Sequence, residues 1–445
     1  MVNEVLRHKR IFSGKKGGEK MIRQKIATAI ATASLLLYAL ATPALATTTL
    51  EITGNGSDSD STVDVTTNNN TTVVQENNAE ITNRINASAD TGNNDANDNT
   101  GGDVQVDTGD ATTRVEVQNQ ANLNVADLEN CGTCNGDTNV EISGNGSDSD
   151  NNVELESENE TKVFQSNNAD IRNWVSADSN TGNNDANDNT DGDVSIDTGD
   201  ASTTVDVQNR ANANIANIGG NGDENGVDLE ISGNGSDSDN TIDLDLDRSV
   251  LVVQENKADI KNGIWADSNT GNNDANDNTD GDVSIDTGDA QTRVEVDNAV
   301  NFNAADVDCC LFDVEAEISG NGSGSDNEIE AELENELEVF QSNCGKDNKP
   351  ENHDLFLDGN QHGDHRGCEV ENEVWADAFT GDNKANDNTD GDVETSTGDA
   401  ETKVEASNSA NVNLFGEDVD FDFDFDLDEL EDLLSQLLEG LHLSA

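Results

Sequence analysis

The chain has 445 residues, in which 94 Asp and Glu outweigh 22 Lys and Arg for a formal charge of −72, while hydrophobic residues reach 32% and aromatics 3%. So acidic a polymer cannot neutralise phosphates with clustered Lys and Arg, which excludes nucleic acid as a partner, and so little apolar matter excludes a large core. Disorder does not follow, because Val, Ile and Leu recur in short alternating runs and Pro occurs only twice.

In chain order the first element is a secretory signal peptide over residues 1–46. Eight basic residues (Arg7, Lys9, Arg10, Lys15, Lys16, Lys20, Arg23, Lys25) precede an apolar run from Ile26 to Leu40, followed by Pro43 and Ala44-Leu45-Ala46. The run is shorter than the ~20 residues a spanning helix needs, and no later segment could span a bilayer after cleavage. Removal of this leader takes the charge to about −78. The expected location is therefore extracellular or at the cell surface.

Four copies of one unit follow. Gly-Asn-Gly-Ser recurs at Gly54, Gly144, Gly233 and Gly320, at spacings of 90, 89 and 87 residues. The segments Thr91–Thr100, Thr181–Thr190, Thr270–Thr279 and Thr380–Thr389 carry a second marker, and Thr-Gly-Asp-Ala returns at Thr108, Thr198, Thr287 and Thr397. We bound the repeats at 47–139, 140–228, 229–316 and 317–416, the last with an insertion at 344–368. Within each unit the apolar period is two, as in Val205-x-Val207 and Ile242-x-Leu244-x-Leu246, and Gly, Asn and Asp clusters separate the runs. The predicted fold is all-β: an elongated β-solenoid of four tandem repeats, favoured by small inward residues such as Ala87, Ala96, Ala111 and Ala121, or alternatively a string of four β-sandwich domains. Asn-rich runs such as Arg210-Ala-Asn-Ala-Asn serve either as stacked amide ladders or as polar turn formers. Residues 417–445 form a C-terminal element, in which an alternating Val419–Leu427 strand with an aromatic face precedes a short amphipathic helix over Glu429–Leu443.

These Asn/Asp/Gly-rich repeats resemble the repetitive secreted surface proteins of environmental bacteria and archaea, and loosely the repeats-in-toxin β-rolls. The resemblance is compositional and covers the repeat region. It implies a surface or matrix role and transfers no residues.

The carboxylates suggest Ca2+, a hard cation that takes six to eight oxygen ligands. Candidate ligands in the Gly-Asn-Gly-Ser-Asp-Ser-Asp turns are Asp58, Asp60, Asp148, Asp150, Asp237 and Asp239; those in the second acidic turn are Asp95, Asp98, Asp185, Asp188, Asp274 and Asp277. The competing reading is a solvated acidic surface suited to high salt. Asn-Gly-Ser sequons at Asn55, Asn145, Asn234 and Asn321, with others at Asn70, Asn86 and Asn159, offer glycosylation sites. In an oxidising compartment Cys344 and Cys368, which bracket the insertion, are expected to pair, whereas the pairing of Cys131, Cys134, Cys309 and Cys310 is open. The insertion also holds His353, His362 and His365, with zinc- or copper-binding potential. Trp174, Trp265 and Trp375 take the strand parity opposite to Ile171, Ile260 and Val370, and so face glycans or partner proteins, or else a contact between repeats.

No nucleophile elbow, His-Glu-x-x-His motif or phosphate loop is present, and the repeats themselves contain no histidine, so no catalytic residue is expected. The sequence favours a structural or adhesive protein of the surface, matrix or filament, whose partners are copies of itself or other surface proteins. A glycan- or metal-binding extracellular module is the alternative. Terminal sequencing of exported protein is expected to begin at Thr47; a retained 1–46 segment would remove the argument for secretion.

Overall fold

The computed structural model describes residues 23–41 (backbone only), 48–128, 138–219, 226–308, 314–344 and 368–416. A first strand, β1 (Arg23–Ala41), precedes the repeats. Repeat 1 contributes β2 (Thr48–Thr53), β3 (Asp60–Asp90), β4 (Val104–Asp107) and β5 (Ala111–Leu128). The equivalents in repeat 2 are β6 (Thr138–Ser143), β7 (Asp150–Asn180), β8 (Val194–Thr198) and β9 (Ala201–Gly219). Repeat 3 supplies β10 (Val227–Ser232), β11 (Asp239–Asn269), β12 (Val283–Thr287) and β13 (Ala290–Asp308). In repeat 4 the insertion splits the long strand, giving β14 (Val314–Ser319), β15 (Asp326–Asn343), β16 (Val370–Phe379), β17 (Val393–Ser396) and β18 (Ala400–Phe415). The predicted tail strand and helix lie outside the described residues.

Among the described residues the fold is all-β and every strand pair is parallel. Four sheets form, in the orders β1-β5-β9-β13-β18, β14-β10-β6-β2, β15-β11-β7-β3 and β17-β12-β8-β4, with β16 also beside β11. Every pair of strands from the repeats joins one repeat to the next. The register sets equivalents side by side: Val63, Val153, Ile242 and Ile329 share one column. A repeat therefore holds no sheet of its own, which is hard to reconcile with four self-contained sandwiches. Strands within a sheet lie about 4.8 Å apart and rise about 3.3 Å per residue. Four repeats are thus only about 15–20 Å deep, while a 31-residue strand such as β7 reaches about 100 Å. The long dimension runs along the strands, not along the stack as the sequence led us to expect.

Two layers face each other within each repeat. Odd-numbered residues of β7 point inward along its length. Val153 and Leu155 meet Val140 and Ile142 of β6. Further along, Val175 and Ala177 meet Val205 and Val207 of β9, and Val163 meets Ala216 and Ile218. The long strand is thus a floor covered by β6 and β9. Small residues let the layers close: Ala169 and Ile171 pack on Ala211, and Ala186 of the second turn packs on Val194 and Ile196.

Between the apolar clusters the interior is filled by amides. Asn209 is fully buried, donates from Nδ2 to Asn298 Oδ1 (2.6 Å) in the next repeat, and accepts from Asn119 Nδ2 (2.6 Å) and from Asn173 Nδ2 (3.0 Å) across the layer. A glutamine column runs likewise: Gln165 Nε2 donates to Gln75 Oε1, Gln254 to Gln165 and Gln341 to Gln254, each at 2.8 Å. Stacked amide ladders, one of the two roles considered for the Asn-rich runs, are thus present. Each amide satisfies the one below, so burial leaves few groups unpaired.

A break in the period-two pattern had no obvious sequence signal. Asn122, Asn212, Asn301 and Asn411 adopt φ of 62°, 64°, 61° and 64° within their strands. This left-handed residue forms a kink that all the stacked strands share, so the register is unbroken across it, and it switches the inward positions of β9 from 205, 207, 209 and 211 to 214, 216 and 218. Asn tolerates that conformation better than a branched residue does. Its side chain also joins the ladder, with Asn212 Nδ2 donating to Asn301 Oδ1 at 3.0 Å.

Truncating a central amide strands its neighbours, at about 1–3 kcal/mol for each buried unsatisfied group. Asn209→Ala is expected to lower stability by about 2–4 kcal/mol in denaturant unfolding. Gln105→Ala, at an exposed position of β4, should change it by less than about 0.5 kcal/mol.

Candidate functional site

Three surface features carry the candidate residues: two acidic turns and one aromatic column. The first turn, Gly54–Asp60 in repeat 1, is built by stacking. Asn55 N–H donates to Asn145 Oδ1 (3.1 Å), Asn145 N–H to Asn234 Oδ1 (3.0 Å) and Asn234 N–H to Asn321 Oδ1 (3.0 Å). Asp58, Asp148 and Asp237 adopt φ of 59°, 57° and 59°. In repeat 4 the equivalent is Gly324, and a Cβ there would lie 2.5 Å from Asp237 Oδ1. Asp60, Asp150 and Asp239 stand beside one another in strand register.

The second turn repeats this principle. Asn94 Nδ2 donates to Thr91 O and Asn184 Oδ1, both at 2.9 Å, and Asn184 and Asn273 continue the column. The Thr-Gly marker has a steric cause here: a Cβ on Gly182 would lie 2.0 Å from Gly271 O of the next repeat. Asp95, Asp185 and Asp274 form a column that ends on Lys384, whose Nζ lies 3.2 Å from Asp274 Oδ1. Asp98, Asp188 and Asp277 hold left-handed backbones at φ of 59°, 58° and 58°.

The structure thus brings together equivalent aspartates of successive repeats, one above another, about 4.8 Å apart along the backbone. Among the described residues no group of three or more His, Cys, Asp and Glu is gathered as for a metal ion. Partial burial and the charge of neighbouring members together raise the carboxyls of such columns. Asp185 is raised above its ordinary pKa by burial, then by Asp274 and Asp95. Asp178 is raised by burial and then by Asp267, and Asp267 by burial and then by Asp377.

Trp174, Trp265 and Trp375 stack on the outer face of the long sheet, with ring centroids 6.1 and 5.0 Å apart and interplanar angles of 17° and 5°. They remain 37%, 39% and 51% exposed. Trp265 and Trp375 are in register, whereas Trp174 stands beside Gly263, where a Cβ would lie 2.6 Å from its ring. Glycine at 263 is what lets Trp174 lean across to Trp265. The Asp178, Asp267 and Asp377 column borders the aromatic one, since these positions share the outer face of their strands.

The other sequence candidates divide clearly. Cys344 and Cys368 are at disulfide distance, Cα to Cα 5.2 Å, and close the base of the insertion. Cys131, Cys134, Cys309, Cys310 and the three insertion histidines lie outside the described residues. The sequons at Asn145, Asn234 and Asn159 are buried, and Asn145 Nδ2 is engaged by Asn151 Oδ1 (2.8 Å). Those three amides are consumed by the stack and closed to glycosylation in the folded chain. Sequence reading missed the left-handed strand asparagines and the buried Arg248, which interrupts a column of Asn69, Asn159 and Asn335 and donates from Nε to Asn335 Oδ1 (3.2 Å). Its ladder position was readable from the repeat spacing, but its burial was not.

The fold and these surfaces define a class, that of tandem-repeat proteins whose repeats pair in parallel register. Comparison takes the matter no further: no family model, curated protein or solved structure matches the chain.

The raised carboxyls set a pH dependence. A carboxyl whose folded pKa is raised binds protons more tightly when folded, so its stabilisation is full below its unfolded pKa and is lost as pH rises through the folded value. The melting temperature at fixed ionic strength is therefore expected to rise as pH falls from 7 towards about 4. Asp178→Asn with Asp267→Asn should raise it at neutral pH and flatten the profile; a melting temperature that falls on acidification would contradict this account.

Proposed function

We propose that the chain is a secreted structural or adhesive protein of the cell surface, matrix or filament, folded as a flattened β-solenoid and stabilised by divalent cations. The observation that carries the reading is the in-register pairing of every repeat with the next. Such a surface is built for mechanical continuity, and its interior, among the described residues, is made mainly of amide and aliphatic side chains. The basic, apolar and Ala-Leu-Ala order of residues 21–46 supports export. A net charge near −78 after export supports a role for cations, because folding crowds like charges into columns.

Calcium is the cation best matched to these turns. Its flexible coordination suits carboxylates and backbone carbonyls offered by neighbouring repeats, whereas magnesium demands octahedral geometry and dehydrates reluctantly. The ligands would be Asp58, Asp148 and Asp237 with Asp60, Asp150 and Asp239 in the first turn. In the second they would be Asp95, Asp185 and Asp274 with Asp98, Asp188 and Asp277. A second reading, a glycan-binding module, is favoured by the Trp174, Trp265 and Trp375 column, whose exposed rings and bordering carboxylates are groups that sugars engage.

Specific binding separates from screening. At fixed high ionic strength, millimolar calcium is expected to raise the melting temperature well beyond magnesium, the gain corresponding to about 2.7 kcal/mol per site at a hundred times Kd. Asp148→Asn with Asp150→Asn should remove part of it. If calcium adds nothing in molar sodium chloride, the acidic turns are solvated surface and not ligands.

A further inference from the structure

We propose that the outer edge of repeat 4 docks on the outer edge of repeat 1 of a second copy, in the register that joins repeats inside the chain, so that copies assemble head to tail into a filament. This rests on the structural reading above and names its partner.

The first ground is continuity. Strands β2, β3 and β4 end their sheets on one side, and β14, β15, β17 and β18 end them on the other. Each terminal strand presents the edge that its equivalents use inside the chain, and an uncovered parallel edge is a template for pairing. The cut is also apolar. Ile329, Leu333, Leu337, Val393 and Val404 are 47–50% exposed, whereas Ile242, Leu246, Val250, Val283 and Val294, in register with them in repeat 3, are buried. Among the described residues no further repeat covers them.

The second ground is charge. Strand β15 carries six glutamates on alternate positions, Glu328 to Glu338. Inside the chain three of them stack on Asp243, Asp245 and Asp247. Continued onto repeat 1 of a second copy, Glu328, Glu332, Glu334, Glu336 and Glu338 would meet Thr62, Thr66, Asn68, Asn70 and Thr72, and only Glu330 would meet an acid, Asp64. The acceptor edge is thus nearly free of the charge that the donor edge carries. The match has an internal precedent, since Asn68 Nδ2 donates to Glu158 Oε2 at 3.0 Å. Joining two repeat 4 edges would instead oppose glutamate strands to each other.

The third ground is the polarity of the ladders. Asn119, Asn209 and Asn298 each donate to the equivalent amide one repeat on, ending with Asn298 Nδ2 to Asn408 Oδ1 at 2.7 Å. One further step would have Asn408 donate to Asn119 of the next copy. A contact between two different edges does not close on itself, so it propagates. In the uncleaved chain β1 pairs with β5, occupying the edge that β18 would need. Removal of the leader opens that edge.

The test uses the chain from Thr47 to Ala445 in high salt. Electron microscopy should show filaments, and in a Thr67→Cys, Leu333→Cys chain peptide mapping should find an intermolecular 67–333 disulfide, because columns place Thr67, Ser157, Leu246 and Leu333 in one register. Thr66→Glu with Asn68→Glu should shorten filaments at least tenfold, and Glu332→Lys with Glu334→Lys in the same chain should restore them. Those lysines sit at the opposite end of the stack, so rescue cannot come from repairing repeat 1. Monomers throughout, a 333–333 disulfide, or filaments that form only after deletion of 417–445 would each overturn the proposal. The last would assign the edge to the chain's own tail. A monomer that is nevertheless exported and calcium-stabilised would leave the proposed function standing.

Discussion

Parallel pairing in register, repeat upon repeat, is the constraint on which the rest of this structure depends. It sets each side chain about 4.8 Å from its equivalents above and below. Whatever residue occupies a position is then repeated into a column, and its self-compatibility decides whether the column helps or harms. Amides stack well because each carries a donor and an acceptor, and the column of Asn119, Asn209, Asn298 and Asn408 uses both. Valine and alanine columns bury themselves. The tryptophans approach one another even where their registers differ, because Gly263 leaves room.

Carboxylates are the residues such a column suits least. Two unit charges at about 4.8 Å repel by about 1 kcal/mol in water and several-fold more near a protein surface. The chain moderates this in visible ways. Lys384 ends the column of Asp95, Asp185 and Asp274, and Gly324 replaces the aspartate of the fourth first-type turn. Most acidic positions also face solvent, where salt screens them. Along the column of Asp178 and Asp267, partial burial and then the charge of the next aspartate make the carboxyls hold their protons to higher pH.

Much of this was legible in residues. The recurrences of Gly-Asn-Gly-Ser and Thr-Gly located the repeats, and alternation along Val205-x-Val207 indicated strands. The pairing of Cys344 with Cys368 followed from their place at the ends of the only insertion within a repeat. The outward parity of the tryptophans was also readable, since it needs only the period of a strand. The kink at Asn212 was not, because a left-handed asparagine looks like any other asparagine in a polar run. Nor could the sequons be sorted: Asn145 and Asn234 read as exposed turn residues, yet the stack engages their amides.

By itself the sequence determined the repeat, its period and the strand character of its runs, because these depend on local alternation and on self-similarity along the chain. Only the tertiary structure decided which strands are neighbours. Alternation fixes which face of a strand is dry, but hydrogen bonding to the next repeat and to the same repeat are equally compatible with it. Choosing the next repeat turned scattered asparagines into ladders and scattered aspartates into columns. It also left at each end of the stack an edge identical in kind to the interfaces within.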